Sequence, residues 1–368
     1  MQRNWPRTGR CTVTHQPEST PGKPAVSVSE WKRIVARYEK PSAGRATWQL
    51  VNTFGPYFLL WVLMYWTMAF SFWPTLPLAA LAGALLVRVF IICHDCGHGS
   101  FFQSPLANAV TGFFAGMLTF TPFYHWRWQH SLHHATSGDL DRRGMSDIWT
   151  MTVQEYLESS RWKRFAYRLA RNPFVLFVIA PLFVFLIRHR FSSPKAGPRE
   201  RHSVWWMNGA VLGMAGALSW WFGIMPYLLL QLIVMMVAGA AGVWLFYVQH
   251  QFEDAYWERS EDWNFTAAAL QGSSFYKLPR ILQWFSGNIG YHHVHHLSSR
   301  IPNYNLERCH KSHPLFQGLK PITLVSSLNS LTIHLWDEGL RKLVGFRHLR
   351  KLRREEQRGG REGCGGPR

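Results

Sequence analysis

Four apolar runs, almost free of charge, constrain this chain more than any other feature. Residues 54–73, 78–93, 204–222 and 224–247 contain a single charged side chain, Arg88. Runs of roughly 20 such residues cross the ~30 Å hydrocarbon layer of a bilayer as helices. Pro74 and Pro77 turn the chain between the first two runs, and Gly223 alone separates the last two. Each pair is expected to form a hairpin, with both termini on one side. Charge is concentrated elsewhere: 40 Lys and Arg against 21 Asp and Glu give a net +19. The positive-inside rule puts the basic loops and ends in the cytoplasm. The expected fold class is an all-α integral membrane protein of the inner membrane, with four transmembrane helices in two hairpins and additional interfacial helices.

Two further runs are ambiguous. Residues 106–123, broken by Gly112, Gly116 and Pro122, suit either a crossing or a re-entrant hairpin. Residues 173–187 carry Pro181 and are flanked by Lys163, Arg164, Arg168 and Arg171 before and Arg188, Arg190, Lys195, Arg199 and Arg201 after. Both flanks then favour the cytoplasm, so an interfacial or re-entrant segment is expected. Residues 1–47 read as a polar tail without a cleavable signal, 48–340 as one domain and 341–368 as a basic tail. The helical part of that last tail suits anionic lipid or an acidic protein, and no nucleic-acid-binding fold is recognisable. Five cysteines, an odd number without framework spacing, read as free thiols.

The functional signal is histidine. HDCGH places His94 and His98 four apart; HSLHH places His130, His133 and His134 at i, i+3 and i+4; HHVHH repeats those offsets with His292, His295 and His296. A helix brings such positions onto one face. The expected topology brings all three groups to one membrane face. Eight imidazoles there exceed the needs of structural zinc, which usually recruits cysteine, and copper more often takes Met or Cys. Elimination favours two iron ions that bind dioxygen.

The three boxes resemble those of membrane fatty acid desaturases, as do the stretches HATSGDLDRRGMSDIW (134–149), WLFYVQHQFEDAYW (244–257) and GNIGYHHVHHLSSRIPNYNL (287–306). The similarity covers residues 48–340 and is to the bacterial acyl-lipid group described as omega-6 or delta-12 enzymes. The HxxxH spacing of the first box, a third box opening on His292, and the absence of an HPGG haem motif separate it from acyl-CoA and front-end types. The resemblance implies a cytoplasmic di-iron cap held by the box histidines, with His250 as a further ligand. It also implies a reduced carrier such as ferredoxin or flavodoxin, and a fatty acyl substrate on a lipid. Phe246 stands where acyl-CoA relatives carry an Asn four residues before that histidine.

Ligating imidazoles usually give their second N–H to a carboxylate or carbonyl. Asp95, Asp139, Asp141, Asp147, Glu253 and Asp254 are near enough in sequence to serve. His125 and His293 lie beside boxes but off the ligand offsets, and Cys96 is a minor ligand candidate. Tyr124, Trp126, Trp128, Phe275, Tyr276 and Trp284 read first as an interfacial aromatic belt and second as walls of an acyl tunnel. The expected reaction is insertion of a cis double bond into an acyl chain, using O2 and two electrons. Hydroxylation or ketolation of a fatty acyl, carotenoid or alkane is the alternative on the same boxes. A metal transporter would need polar ligands at mid-span, and the four runs hold no histidine or carboxylate.

Overall fold

The computed structural model describes residues 28–144, 147–352 and 354. Cys11, Cys364 and most of both expected tails lie outside them. The order is α1 (Val28–Val35), α2 (Ala43–Phe70), α3 (Thr75–His98), α4 (Pro105–Leu118), α5 (Phe123–Thr136), α6 (Val153–Glu158), α7 (Arg161–Ala170) and α8 (Val175–Arg190). It continues with α9 (Pro198–Phe222), α10 (Ile224–His250), α11 (Phe265–Gln271), α12 (Arg280–Phe285), α13 (His292–Leu297) and α14 (Asn303–Lys311). The molecule is mostly helical, with α2, α3 and α10 each long and apolar enough to cross a membrane.

Helix α3 is the axis of the bundle and packs against α2, α4 and α10. Its contact with α10 is close because Gly83 has no Cβ: one built there would stand 2.6 Å from Val237 Cβ. Small residues at such crossings let backbones approach and gain dispersion contacts that the hydrophobic effect cannot supply in lipid. At its end, Gly99 adopts φ 70° and stops the helix one residue after His98, its N–H returning to Cys96 O. Glycine takes this left-handed C-terminal position without the penalty of a Cβ. The first box is therefore helical throughout, rigidly continuous with an apolar span.

The ambiguous runs are bent. Helices α4 and α5 meet at 98° across Thr119–Pro122, where the carbonyl of Phe120 accepts from Arg190 Nη2. Helices α7 and α8 meet at 65°, and much of α8 is wound as a π-helix around Pro181. Helix α9 contains the expected run 204–222 but is less apolar than the other long helices, with Arg199, Glu200 and Arg201 in its first turn, and is not among those long and apolar enough to cross. Gly223 alone joins it to α10.

Two expectations need correction. The all-α reading omitted a small sheet: β1 (Met151–Thr152) runs parallel to β2 (Leu335–Asp337), which pairs antiparallel with β3 (Lys342–Val344). Strands of two or three residues carry too little alternation to register as a pattern. The tail boundaries were also drawn too far inward. Trp31 and Val35 of α1 are buried against Ile289, Leu297 and Ile301, and Leu343 and Leu349 are buried at the other end of the chain. Residues 28–47 and 341–352 thus belong to the folded body.

Candidate metal centre

Four chain segments converge at one end of the bundle: the last turn of α3, the second half of α5, the end of α10 and all of α13. They bring nine imidazoles into two adjoining groups. His94, His98, His130, His134 and His295 form the first; His133, His250, His292 and His296 form the second. Within each group every nearest ring nitrogen lies within 4.8 Å of every other. All nine candidate ligands thus stand together, His250 included. The two groups touch where the rings of His134 and His296 stack at 4.2 Å.

Hydrogen bonds at the outer nitrogens aim the inner ones. His94 Nδ1 is 3.0 Å from Asp95 Oδ1, His133 Nδ1 is 2.5 Å from Asp147 Oδ1, and His250 Nδ1 is 3.3 Å from the carbonyl of Gly272. An acceptor at Nδ1 holds the proton there and leaves the Nε2 lone pair pointing inward. Inside, His134 Nε2 is 3.1 Å from both His130 Nε2 and His295 Nε2, and His292 Nε2 is 3.0 Å from His250 Nε2. One ring nitrogen has one proton or one lone pair, so His134 cannot satisfy both neighbours. His98 Nε2, His133 Nε2 and His296 Nε2 are buried without any partner.

A metal ion resolves these contacts together. Ligand nitrogens at right angles, each about 2.1 Å from an ion, stand about 3.0 Å apart. Each of the two groups has the clustered nitrogens that a metal ion needs. Burial pushes His292, His295 and His296 well below the ordinary imidazole range, reinforced by their histidine neighbours, so they are neutral as ligands must be.

The other candidates divide by direction. Asp95 also binds the start of α14, its Oδ2 accepting from Asn303 N at 2.6 Å and Asn303 Nδ2 at 2.8 Å. Asp139 is buried but accepts from Arg142 and Ser260. Asp141 pairs with Arg259, while Glu253 and Asp254 are exposed and face Lys342. None of these four reaches a box histidine. The expectation that they orient ligands is corrected: Asp139 is spent on Arg142 and Ser260, and the other three face outward. His125 Nε2 accepts from Ser193 N at 3.0 Å, and His293 pairs with His310 and Phe316 O. Cys96 is buried in the apolar core, and neither ligand group includes it.

Phe246 lies against the rings of His133 and His250, each centroid 5.2 Å away, and walls the second group with hydrocarbon. Trp126 stacks on His130 at 4.6 Å. Beside it a cavity of about 430 Å³ reaches His98 and His130, lined also by Tyr124, Trp128, Arg127 and Arg199. The second aromatic group is split: Phe275 stacks on Tyr291, Tyr276 is fully buried, and Trp284 lies under the Arg88 guanidinium at 4.1 Å.

Sequence reasoning missed one buried cluster. Arg171 donates to Gln251 Oε1, Tyr247 Oη, Thr150 Oγ1 and Trp149 O, clamping α7 to the residue after His250. An arginine amid basic neighbours carries no sequence sign that it turns inward.

An apolar bundle whose end closes over two nests of imidazole is a membrane protein with histidines placed to bind metal. The fatty acid desaturase family model matches residues 71–320. A fatty acid desaturase of Bacillus subtilis is 47% identical over 86% of this chain and 90% of its own length. An sn-1 acyl-lipid omega-3 desaturase (ferredoxin) of Synechocystis is 27% identical over 66% of each chain. An sn-1 oleoyl-lipid 12-desaturase from the same organism is 28% identical over 65% of this chain and 68% of its own. The chain belongs to the fatty acid desaturase family and is an oxidoreductase, as the boxes led us to expect.

Proposed function

We propose that this protein introduces a cis double bond into the acyl chain of a membrane lipid, drawing two electrons from a reduced carrier and consuming O2. The observation that carries this reading is the pairing of two inward-facing imidazole groups at one end of an apolar helical bundle. Two iron ions held by His94, His98, His130, His134 and His295, and by His133, His250, His292 and His296, would supply oxidising power that no side-chain acid or base possesses. The protein's own part is position. Asp95, Asp147 and the Gly272 carbonyl hold tautomers, and Phe246 and Trp126 exclude water from the ring faces. The cavity at His98 and His130 offers aromatic walls to methylene groups, with Arg127 and Arg199 at hand for a polar headgroup.

A lipid-bound substrate and a ferredoxin-like donor are supported by the acyl-lipid and ferredoxin-dependent character named for the Synechocystis relatives. In the bilayer we place α2, α3, α9 and α10 as four crossings in two hairpins, with the histidine end and both termini cytoplasmic. Expression in a host lacking polyunsaturated lipids, followed by mass spectrometry of its fatty acids, tests the activity. New double bonds that depend on His130 and His295 are expected. An unchanged profile in aerated, iron-replete cells containing intact protein would overturn it.

A further inference from the structure

A second cavity, of about 270 Å³, lies between α7 and the segment 346–352. Tyr156, Arg164, Arg168, Phe346, Leu349 and Arg350 line it. It shares no residue with the cavity at the histidines. Three guanidinium groups surround this space and, among the described residues, no carboxylate does. Arg168 is fixed by a 2.6 Å bond from Nε to Tyr156 Oη and lies over the Phe346 ring at 4.7 Å. Among the described residues, none of the three arginines makes a salt bridge. Like charges gathered around a void repel until an anion joins them, and the planar guanidinium fork matches phosphate oxygens.

The adjoining face of α7 says where that anion comes from. Trp162, Phe165 and Leu169, at helical spacing, are 81%, 58% and 48% exposed, and Phe174 continues the surface beyond the helix. Such a face is poorly placed in water and well placed in the outer hydrocarbon, with tryptophan at headgroup depth. Arg171, one turn past Arg168, binds Gln251, so α7 lies at the histidine end of α10. We propose that this cavity binds the phosphate of an anionic phospholipid from the surrounding bilayer, whose acyl chains lie along Trp162, Phe165 and Leu169. The same chemistry would take free phosphate, but only a lipid uses the apolar face.

The test uses the purified full-length protein in non-ionic detergent. It is titrated with phosphatidylglycerol, with phosphatidylcholine of the same acyl chains, and with inorganic phosphate. Bound lipid is counted by native mass spectrometry. One phosphatidylglycerol should bind at least tenfold more tightly than phosphatidylcholine, and millimolar phosphate should not displace it. Each basic group near an anionic headgroup strengthens binding roughly fivefold, so R164Q/R168Q/R350Q should weaken phosphatidylglycerol about a hundredfold. R161Q/R347Q, which removes neighbouring charge outside the cavity, should change it less than threefold. If the triple variant does not elute as a folded species, R350Q alone should show the fivefold loss. Equal binding of the two lipids, equal losses in the control, unchanged affinity in R350Q, or displacement by phosphate would each overturn the proposal. So would absent lipid binding coupled with a raised KM for a reduced ferredoxin in the triple variant, which would assign the surface to an acidic protein.

Discussion

Replacing Asp95 by Asn tests the proposed metal centre most directly. The carboxylate serves two directions: Oδ1 faces His94 Nδ1, and Oδ2 accepts both nitrogens of Asn303. Asparagine is nearly the same shape but has only one acceptor oxygen. If its amide nitrogen turned towards Asn303, donors would oppose donors and two buried N–H groups would lose partners, costing about 1–3 kcal/mol each. The oxygen will therefore stay on Asn303 and the amide nitrogen will meet His94. The imidazole must then accept at Nδ1 and carry its proton on Nε2, the atom aimed into the first group. Loss of an orienting partner of this kind typically weakens metal binding 10–100-fold, about 1.4–2.7 kcal/mol. Anaerobic titration of the apoprotein with ferrous iron, with bound metal counted by elemental analysis, reads that number. Asp139→Asn is the comparison, since its bonds go to Arg142 and Ser260; it should lower stability and spare iron affinity. A folded Asp95→Asn protein binding iron as tightly as the native chain would refute the tautomer argument.

Other outcomes follow from the same geometry. Asp147→Asn should mimic Asp95→Asn in the second group, whereas Glu253→Gln, on an exposed carboxylate facing Lys342, should leave iron content and product unchanged in elemental and lipid analyses. Gly83→Leu should force α3 and α10 apart and cost about 1–3 kcal/mol or more, seen as a lower unfolding midpoint in detergent. His334, pushed down to about 4 chiefly by burial and then by Arg171, stays neutral in the fold while the unfolded chain protonates near pH 6.5. Its contribution is full above pH 6.5 and declines as pH falls towards 4. His334→Phe should flatten that part of the acid-unfolding profile of the segment around β2 and β3, followed by limited proteolysis.

The sequence made the ligand set legible because helical spacing is local: once α3, α5 and α13 are helices, offsets of three and four decide which imidazoles share a face. His250 came only from family likeness, since one histidine at a helix end has no offset to read. Proximity in sequence was a poor guide to the carboxylates. Asp95 and Asp147 reach histidines, while Asp141 and Glu253, on neighbouring turns, face outward. The Asn303 partner of Asp95 could not be read, because 208 residues separate them. The short strands failed for a similar reason: β1 and β2 stabilise each other across half of the chain, and neither has a pattern of its own.

The first nest takes members from residue 94 to residue 295, and the second from 133 to 296. Neither can close before the ribosome has delivered α13. Under the proposed function, metal entry waits for that segment, and ion binding would contribute directly to the stability of the finished product. A chain interrupted before α13 would keep four imidazoles of the first nest but only two of the second, a half-built centre that quality-control proteases can sense without any assay of catalysis.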